Sequence, residues 1–152
     1  MAHPFSRPPL ARHERAALAA RIAALEARSA GELRLVLQRR RAGKEREVPL
    51  MTLALGHFRR LGMDQTAGAT GVLLFVLLEE RRLQIVADAG IYAKLPQAGW
   101  DALAAEGARA IGAFGLCAGL EMLIDKIAAP LAAHFPRDAG DRNELPDAPV
   151  MR

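Results

Sequence analysis

The sequence predicts an α/β fold, a three-layer α/β/α sandwich with a small mixed sheet, on the basis of three observations. Residues 72–79 read VLLFVLLE, a run too short for a typical independent helix and apolar enough for a strand covered on both faces. A tight charged turn follows, and apolar and polar residues then interleave over 82–88, which predicts an antiparallel hairpin. The remaining long apolar segments have helical spacing, so we expect helices on both faces of the sheet.

The first part of the chain supplies two helices and one strand. Apolar residues recur at helical spacing over 10–28, and leucines alternate with polar residues over 32–38, which predicts a helix followed by a strand. Pro49 and Gly62 bracket the second helix, because proline is tolerated in a first turn and glycine ends a helix. This helix connects the first strand to the second, and we therefore expect those two strands to be parallel.

Two long helices complete the predicted fold. One follows Pro96 and places Trp100 and Ile111 on its apolar face, and the other spans 116–134. Pro130 lies inside the second of these helices and should kink it or mark its final turn. The predicted order is helix, strand, helix, strand, strand, helix, helix.

The length of 152 residues fits one domain. We divide the chain into an N-terminal arm at 1–9, a single domain at 10–136 and a proline-rich, acidic tail at 137–152. Cys117 is the only cysteine, which excludes an internal disulfide, and its apolar surroundings predict an unreactive core residue. The N-terminus lacks the apolar core of a signal peptide, and no run is long enough to span a membrane. We therefore expect a cytoplasmic protein without membrane insertion.

Positive charge is concentrated in the first part of the chain. The net charge is +4, yet residues 1–62 hold 13 Lys and Arg against 5 Asp and Glu. The densest cluster predicts a loop that is either solvated or faces a partner, and it consists of Arg39, Arg40, Arg41, Lys44 and Arg46. Aromatic residues for base stacking are missing around it, so a protein partner is expected rather than nucleic acid.

Two carboxylates and two hydroxyls could meet at one edge of the sheet. Asp64 precedes the second strand and Asp88 closes the third, and in an antiparallel pair those two ends share an edge. Together with Thr66 and Thr70, they form a tentative site for Ca²⁺ or Mg²⁺, which prefer oxygen ligands. The alternative is that Asp64 is a helix cap or turn residue and that Asp88 forms a turn.

No sequence motif predicts a catalytic residue. The phosphate-binding fingerprints GxGxxG and GxxxxGK[ST] are absent, as are the HxxxH and CxxC spacings of zinc sites. The only serines are Ser6 and Ser29, and neither lies in a GxSxG motif. The catalytic residues, if any, are unknown from sequence.

An ordered set of segments resembles the TPM domain. The set comprises GELRLVL, a helix that ends in LGM, the hairpin TGVLLFVLLEERRLQIVADAGI, and Trp100 at the start of the next helix. The chain then closes with HFP and NELPD, and the latter is similar to the ending of a short bacterial branch of the family. This tail motif consists of Asn143, Glu144, Leu145, Pro146 and Asp147.

The resemblance implies an α/β/α sandwich and two different functions. Some relatives are acid phosphatases that bind divalent cations, calcium especially, whereas others serve the assembly of membrane complexes or accompany LemA-type envelope proteins. Asp88 and Gly90 match the family's D-x-G-I at the end of the third strand. The loop before the second strand, however, reads AGATG at 67–71 and lacks the acidic and amide residues that many relatives have there. We therefore expect a non-catalytic interaction module with a protein partner, and the alternative is a Ca²⁺- or Mg²⁺-dependent phosphatase-like enzyme.

Overall fold

The computed structural model of the protein describes residues 8–137 and 148–152 and centres on a mixed sheet. Within these residues the sheet has four strands in the order β3-β2-β1-β4, of which β1, β2 and β4 are parallel and β3 is antiparallel to β2. The strands are β1 (Glu32–Gln38), β2 (Gly71–Leu77), β3 (Arg82–Ala87) and β4 (Val150–Met151).

Five α-helices surround the sheet in the described part of the chain. They are α1 (Arg12–Arg28), α2 (Leu50–Arg60), α3 (Ala89–Tyr92), α4 (Gln97–Phe114) and α5 (Leu116–His134). Within the described ranges, no helix has both the length and the apolar character that a membrane span requires.

The side chains of β2 alternate between two hydrophobic cores. Leu74 packs into a larger core with residues of α1, α4 and α5, whereas its neighbours Leu73 and Phe75 pack into a smaller core with residues of α2. All seven residues of β2 are buried, as expected for a strand with helices on both sides. The predicted three-layer α/β/α sandwich is therefore confirmed.

The helices α4 and α5 approach each other closely at two glycines. A Cβ atom added at Gly119 would lie 2.6 Å from the backbone of Ile111, and one at Gly107 would lie 2.4 Å from a methyl group of Leu123. Such contact between helices requires residues without side chains at these positions. The two helices form one wall of the larger core.

The short elements that the sequence did not predict include one helix and one strand. The turn after Asp88 forms the single-turn helix α3, and Val150 and Met151 pair with Val36 and Leu37 of β1 as β4. Strand β4 lies in the segment that the sequence assigned to the tail. The NELPD motif at 143–147 lies outside the described residues.

Candidate functional site

A basic pocket lies at the carboxyl end of β1. The loop that follows Gln38 and the last turn of α2 surround an open cavity of about 660 Å³. Loops at the carboxyl ends of parallel strands are the usual ligand-binding positions in α/β sheets. Among the described residues, six cationic side chains line this cavity: Arg39, Arg40, Arg41, Lys44, Arg60 and Arg152.

A hydrogen-bonded network of His57, Gln38 and Glu45 forms part of the pocket wall. The Nε2 atom of His57 lies 3.0 Å from Oε1 of Gln38, and the amide nitrogen of Gln38 donates to Glu45 Oε1 at 3.0 Å and to the Arg40 carbonyl at 2.9 Å. An Arg60 guanidinium nitrogen lies 3.3 Å from His57 Nδ1. Because the Gln38 oxygen can only accept and Arg60 can only donate, His57 is a neutral imidazole protonated at Nε2.

The surroundings of His57 keep it neutral. Burial is the main cause that lowers the pKa of His57 from 6.5 to about 4, and the positive charges of Arg60 and Arg152 contribute to this decrease, against the opposing effect of Glu45. The pKa of Glu45 is itself lowered, mainly because its carboxylate accepts a hydrogen bond from the Ala42 backbone. The wall of the pocket therefore carries one carboxylate and an uncharged imidazole among its cations.

Arg41 holds the basic loop in place. Its guanidinium donates to Glu80 of the β2–β3 turn at 2.6 Å, to the Glu45 carbonyl at 2.9 Å and to the Val48 carbonyl. Only 14% of its side chain is exposed, whereas its neighbours Arg40 and Lys44 are exposed residues. Arg41 therefore fixes the shape of the pocket, and the more exposed cations remain available to a ligand.

The structure brings together four of the five basic residues predicted to face a partner. Arg39, Arg40, Arg41 and Lys44 line the pocket, whereas Arg46 is exposed and does not line it. We had not predicted the contributions of Arg60, His57 and Arg152 to this site. Arg60 and His57 lie three residues apart on α2, a spacing that places two side chains on one helix face.

The tentative cation site lies at the opposite end of the strands. The Asp88 backbone donates to the Gly71 carbonyl at 2.9 Å, so the end of β3 meets the start of β2 as expected. The Asp88 oxygen Oδ1 accepts from the Ala89 backbone at 2.7 Å and caps α3, as the turn interpretation predicts. The other oxygen, Oδ2, is buried and has no hydrogen-bond partner among the described residues.

The loop before β2 packs directly against this turn. A Cβ atom at Gly90 would lie 2.2 Å from the Gly68 carbonyl oxygen, so the two backbones are in contact. The hydroxyls of the loop are engaged locally, since Thr66 Oγ1 accepts from the Thr70 backbone and Thr70 Oγ1 donates to the Ala67 carbonyl. Asp64 is exposed in a 3-10 turn. Residues 8–137 and 148–152 contain no group of three or more His, Cys, Asp or Glu suited to a metal ion.

Cys117 is partly buried at the start of α5 and donates to Glu121 Oε1 at 3.3 Å. Burial and the neighbouring carboxylate of Glu121 raise the pKa of this thiol to about 11. A thiol with so high a pKa forms little of the nucleophilic thiolate at neutral pH.

The profile of the TPM domain matches residues 9–129, which include the central parallel strands β1 and β2, the hairpin and most of the basic pocket. The chain belongs to the TPM domain family. The resemblance noted in the sequence is thereby confirmed.

Solved structures with a similar fold include two bacterial proteins. The BA42 protein of the psychrophilic bacterium Bizionia argentinensis aligns over 100% of both chains, with a TM-score of 0.84 and 26% sequence identity. The N-terminal domain of a P. gingivalis protein aligns over 83% of this chain and 78% of that one, with a TM-score of 0.68 and 19% identity, and shows a shared fold. No curated protein matches the chain significantly.

Proposed function

We propose that this TPM domain is a non-catalytic interaction module that binds an acidic segment of a partner protein in the basic pocket. The observation that carries the proposal is the convergence of six cationic side chains on one open cavity. Charge of one sign in a concave surface attracts and orients a partner of the opposite sign. Arginine is well suited to this role, since its guanidinium binds carboxylates in a bidentate manner.

The chemistry of the pocket supports binding rather than catalysis. Both ring nitrogens of His57 are engaged, one with Gln38 and one with Arg60, so the imidazole has no lone pair available to accept a proton from a substrate. Among the described residues that line the pocket there is no serine, threonine or cysteine that could act as a nucleophile.

An acidic peptide is a better match to the pocket than nucleic acid. Single-stranded nucleic acids are bound by aromatic side chains on which bases stack, and the described pocket residues include no Phe, Tyr or Trp. Carboxylates require only cations and hydrogen-bond donors, which the pocket supplies in excess.

The proposal is tested by measuring the binding of a fluorescent oligoglutamate peptide to charge-reversal variants. We expect saturable binding to the natural protein and a loss of affinity of about tenfold for Arg60→Glu, since one charge-assisted contact is worth on the order of 1–2 kcal/mol. Arg59→Glu is the matched control, because Arg59 is the next residue on α2, is exposed and does not line the pocket.

The same assay identifies the results that would contradict this proposal. Equal losses of affinity in the Arg59 and Arg60 variants would mean that peptide binding depends only on the net charge of the protein. Tighter binding of an oligothymidine of equal charge would favour a nucleic-acid partner instead.

A second candidate function, a divalent-cation-dependent phosphatase-like activity, is favoured by one specific observation. Asp88 holds a buried carboxylate oxygen without a hydrogen-bond partner among the described residues, and burial of an unpaired carboxylate is unfavourable. A bound Ca²⁺ or Mg²⁺ would satisfy that oxygen, with further oxygen ligands from Asp64, Thr66 or Thr70.

A calcium titration followed by amide NMR shifts tests this second candidate. It predicts saturable shifts confined to residues 64–71 and 88–91 and their loss in Asp88→Asn, together with metal-dependent hydrolysis of a generic phosphoester. Asp101→Asn is the control, because Asp101 is an exposed carboxylate on α4. Spectra that stay unchanged to millimolar calcium would eliminate the cation site.

Cellular location and partner identity are also part of the proposal. We propose a cytoplasmic location and a LemA-type envelope protein as partner, the latter supported by membership of the TPM domain family. Affinity purification with the natural protein and with Arg60→Glu tests the partner, since a specific partner should be lost with the variant, and cell fractionation tests the location.

A further inference from the structure

A second cavity lies between the β2–β3 hairpin and the two long helices. Its volume is about 380 Å³, and its walls include Leu78 and Leu83 of the hairpin, Ile111 of α4 and Leu116 of α5. Small-molecule sites are commonly apolar cavities of about 300–1,000 Å³ with a few polar groups. The cavity shares no lining residue with the basic pocket, so an inference about it is independent of the proposed function.

Arg81 provides the only charge among the described residues that line this cavity. Its side chain is exposed and makes no hydrogen bond or ion pair with any described residue. Its neighbours Arg82 and Glu80 face each other at 3.8 Å, and Glu80 also accepts from Arg41. The guanidinium of Arg81 is therefore available to an anion at the rim of an apolar cavity.

The backbone of Arg81 is in an unfavourable conformation. Its φ angle is 54°, in the left-handed region that favours glycine or asparagine in a hairpin turn. Residues held in such conformations cluster at active sites and ligand-binding segments. An arginine therefore lies at the rim of the cavity at a position where its backbone conformation is disfavoured.

We propose that this cavity binds a medium-chain fatty acid. The alkyl chain would lie among the leucine and isoleucine walls, and the carboxylate would bind the guanidinium of Arg81. A single tail with a single anionic end matches a cavity with apolar walls and one cation at its rim.

Two substitutions test the two halves of this site. Arg81→Asn removes the charge and keeps a residue that tolerates the left-handed conformation. Gly112→Leu should fill the cavity, because Gly112 lines it and an added Cβ atom there meets no atom within 4 Å. The controls are Arg82→Asn, the neighbouring exposed arginine, and Gly99→Leu, a glycine of the same helix with open space outside this cavity.

The measurement is calorimetric titration with decanoate below its micelle concentration, combined with amide NMR shifts. We expect saturable binding, shifts at residues 76–83 and 108–116, an affinity about tenfold lower in Arg81→Asn, and no binding to Gly112→Leu. Decanol should bind more weakly than decanoate and should be insensitive to Arg81→Asn. Absence of decanoate binding, or binding that both cavity variants leave unchanged, would overturn the proposal.

Discussion

The protonation state of His57 is determined by the side chains around it. The ring is buried against Phe75, with ring centroids 4.9 Å apart, and both nitrogens are used by Gln38 and Arg60. Protonation at Nδ1 would replace an accepted hydrogen bond from Arg60 with repulsion between two cations. The imidazole is therefore a neutral structural link between β1 and α2, and it positions Arg60 at the pocket.

This environment predicts a pH dependence of stability. The pKa of His57 is about 4 in the folded protein and near 6.5 in the unfolded chain, so between these values the unfolded chain binds more protons. The free energy of unfolding should therefore fall as the pH is lowered from about 7 to about 4, by up to ~3 kcal/mol from this residue.

Urea unfolding at several pH values measures this effect. The control is His57→Gln, which keeps an amide in place of the ring and does not titrate. Carboxylates also titrate near pH 4, so the informative quantity is the difference in pH slope between the two proteins. If the free energy of unfolding changes equally with pH in the natural protein and in His57→Gln, then His57 does not contribute to the pH dependence of stability.

Some of the pocket could be predicted from the sequence because its residues are contiguous. The run from Arg39 to Arg46 is visible as a charge cluster, and four of its five cations line the cavity. In the sequence, Arg60 is already explained as a favourable positive charge in the last turn of α2. Its contribution to the pocket therefore could not be recognised from the sequence. Arg152 lines the pocket in the structure, at the end of a strand only two residues long.

At the scale of elements, α4 and α5 depend on close contact at a glycine. Gly119→Ala would place a Cβ atom 2.6 Å from the Ile111 backbone and force the helices apart. Overpacking costs about 1–3 kcal/mol, and the better helix propensity of alanine offsets up to ~1 kcal/mol of it. We therefore expect Gly119→Ala to lower the free energy of unfolding by about 1–2 kcal/mol.

Gly112→Ala is the matched control on the facing helix. A Cβ atom there meets no atom within 4 Å, so only helix propensity should act, and stability should rise by up to about 1 kcal/mol. Denaturant midpoints of the two variants provide the comparison. Changes of the same sign in both variants would contradict the close packing of α4 and α5.

The long elements could be predicted because each has a strong periodic pattern. The β2–β3 hairpin follows from an apolar run, a charged turn and alternation, and α5 follows from an apolar stripe over its whole length. The helix α3 has one turn and β4 has two residues, lengths at which no period can be recognised. Tertiary contacts determine such elements, as the backbone contact between Gly90 and Gly68 illustrates.

At the scale of the whole molecule, opposite ends of the sheet carry different chemistry. Cations converge at the carboxyl end of β1, whereas the partly buried carboxylate of Asp88 lies at the amino end of β2. The parallel register of β1 and β2 places these two regions a full strand length apart. A ligand at one end therefore does not contact the other, and the two candidate functions can be tested separately.

Electrostatic attraction at the basic pocket predicts a strong dependence of binding on salt. Peptide affinity should fall steadily with ionic strength, because the Debye length shortens from about 10 Å at 0.1 M to about 3 Å at 1 M. Fluorescence titrations at several salt concentrations measure this, with an uncharged peptide of equal length as the control. Affinity that does not change with salt would indicate apolar binding.

The most direct test of the proposed function is an amide NMR titration with the oligoglutamate peptide. The pocket predicts saturable shifts at residues 38–45, 57–60 and 152, which in Arg60→Glu but not in Arg59→Glu should require about tenfold more peptide to saturate. Saturable shifts elsewhere on the molecule, or no shifts at all, would show that the basic pocket is not the binding site.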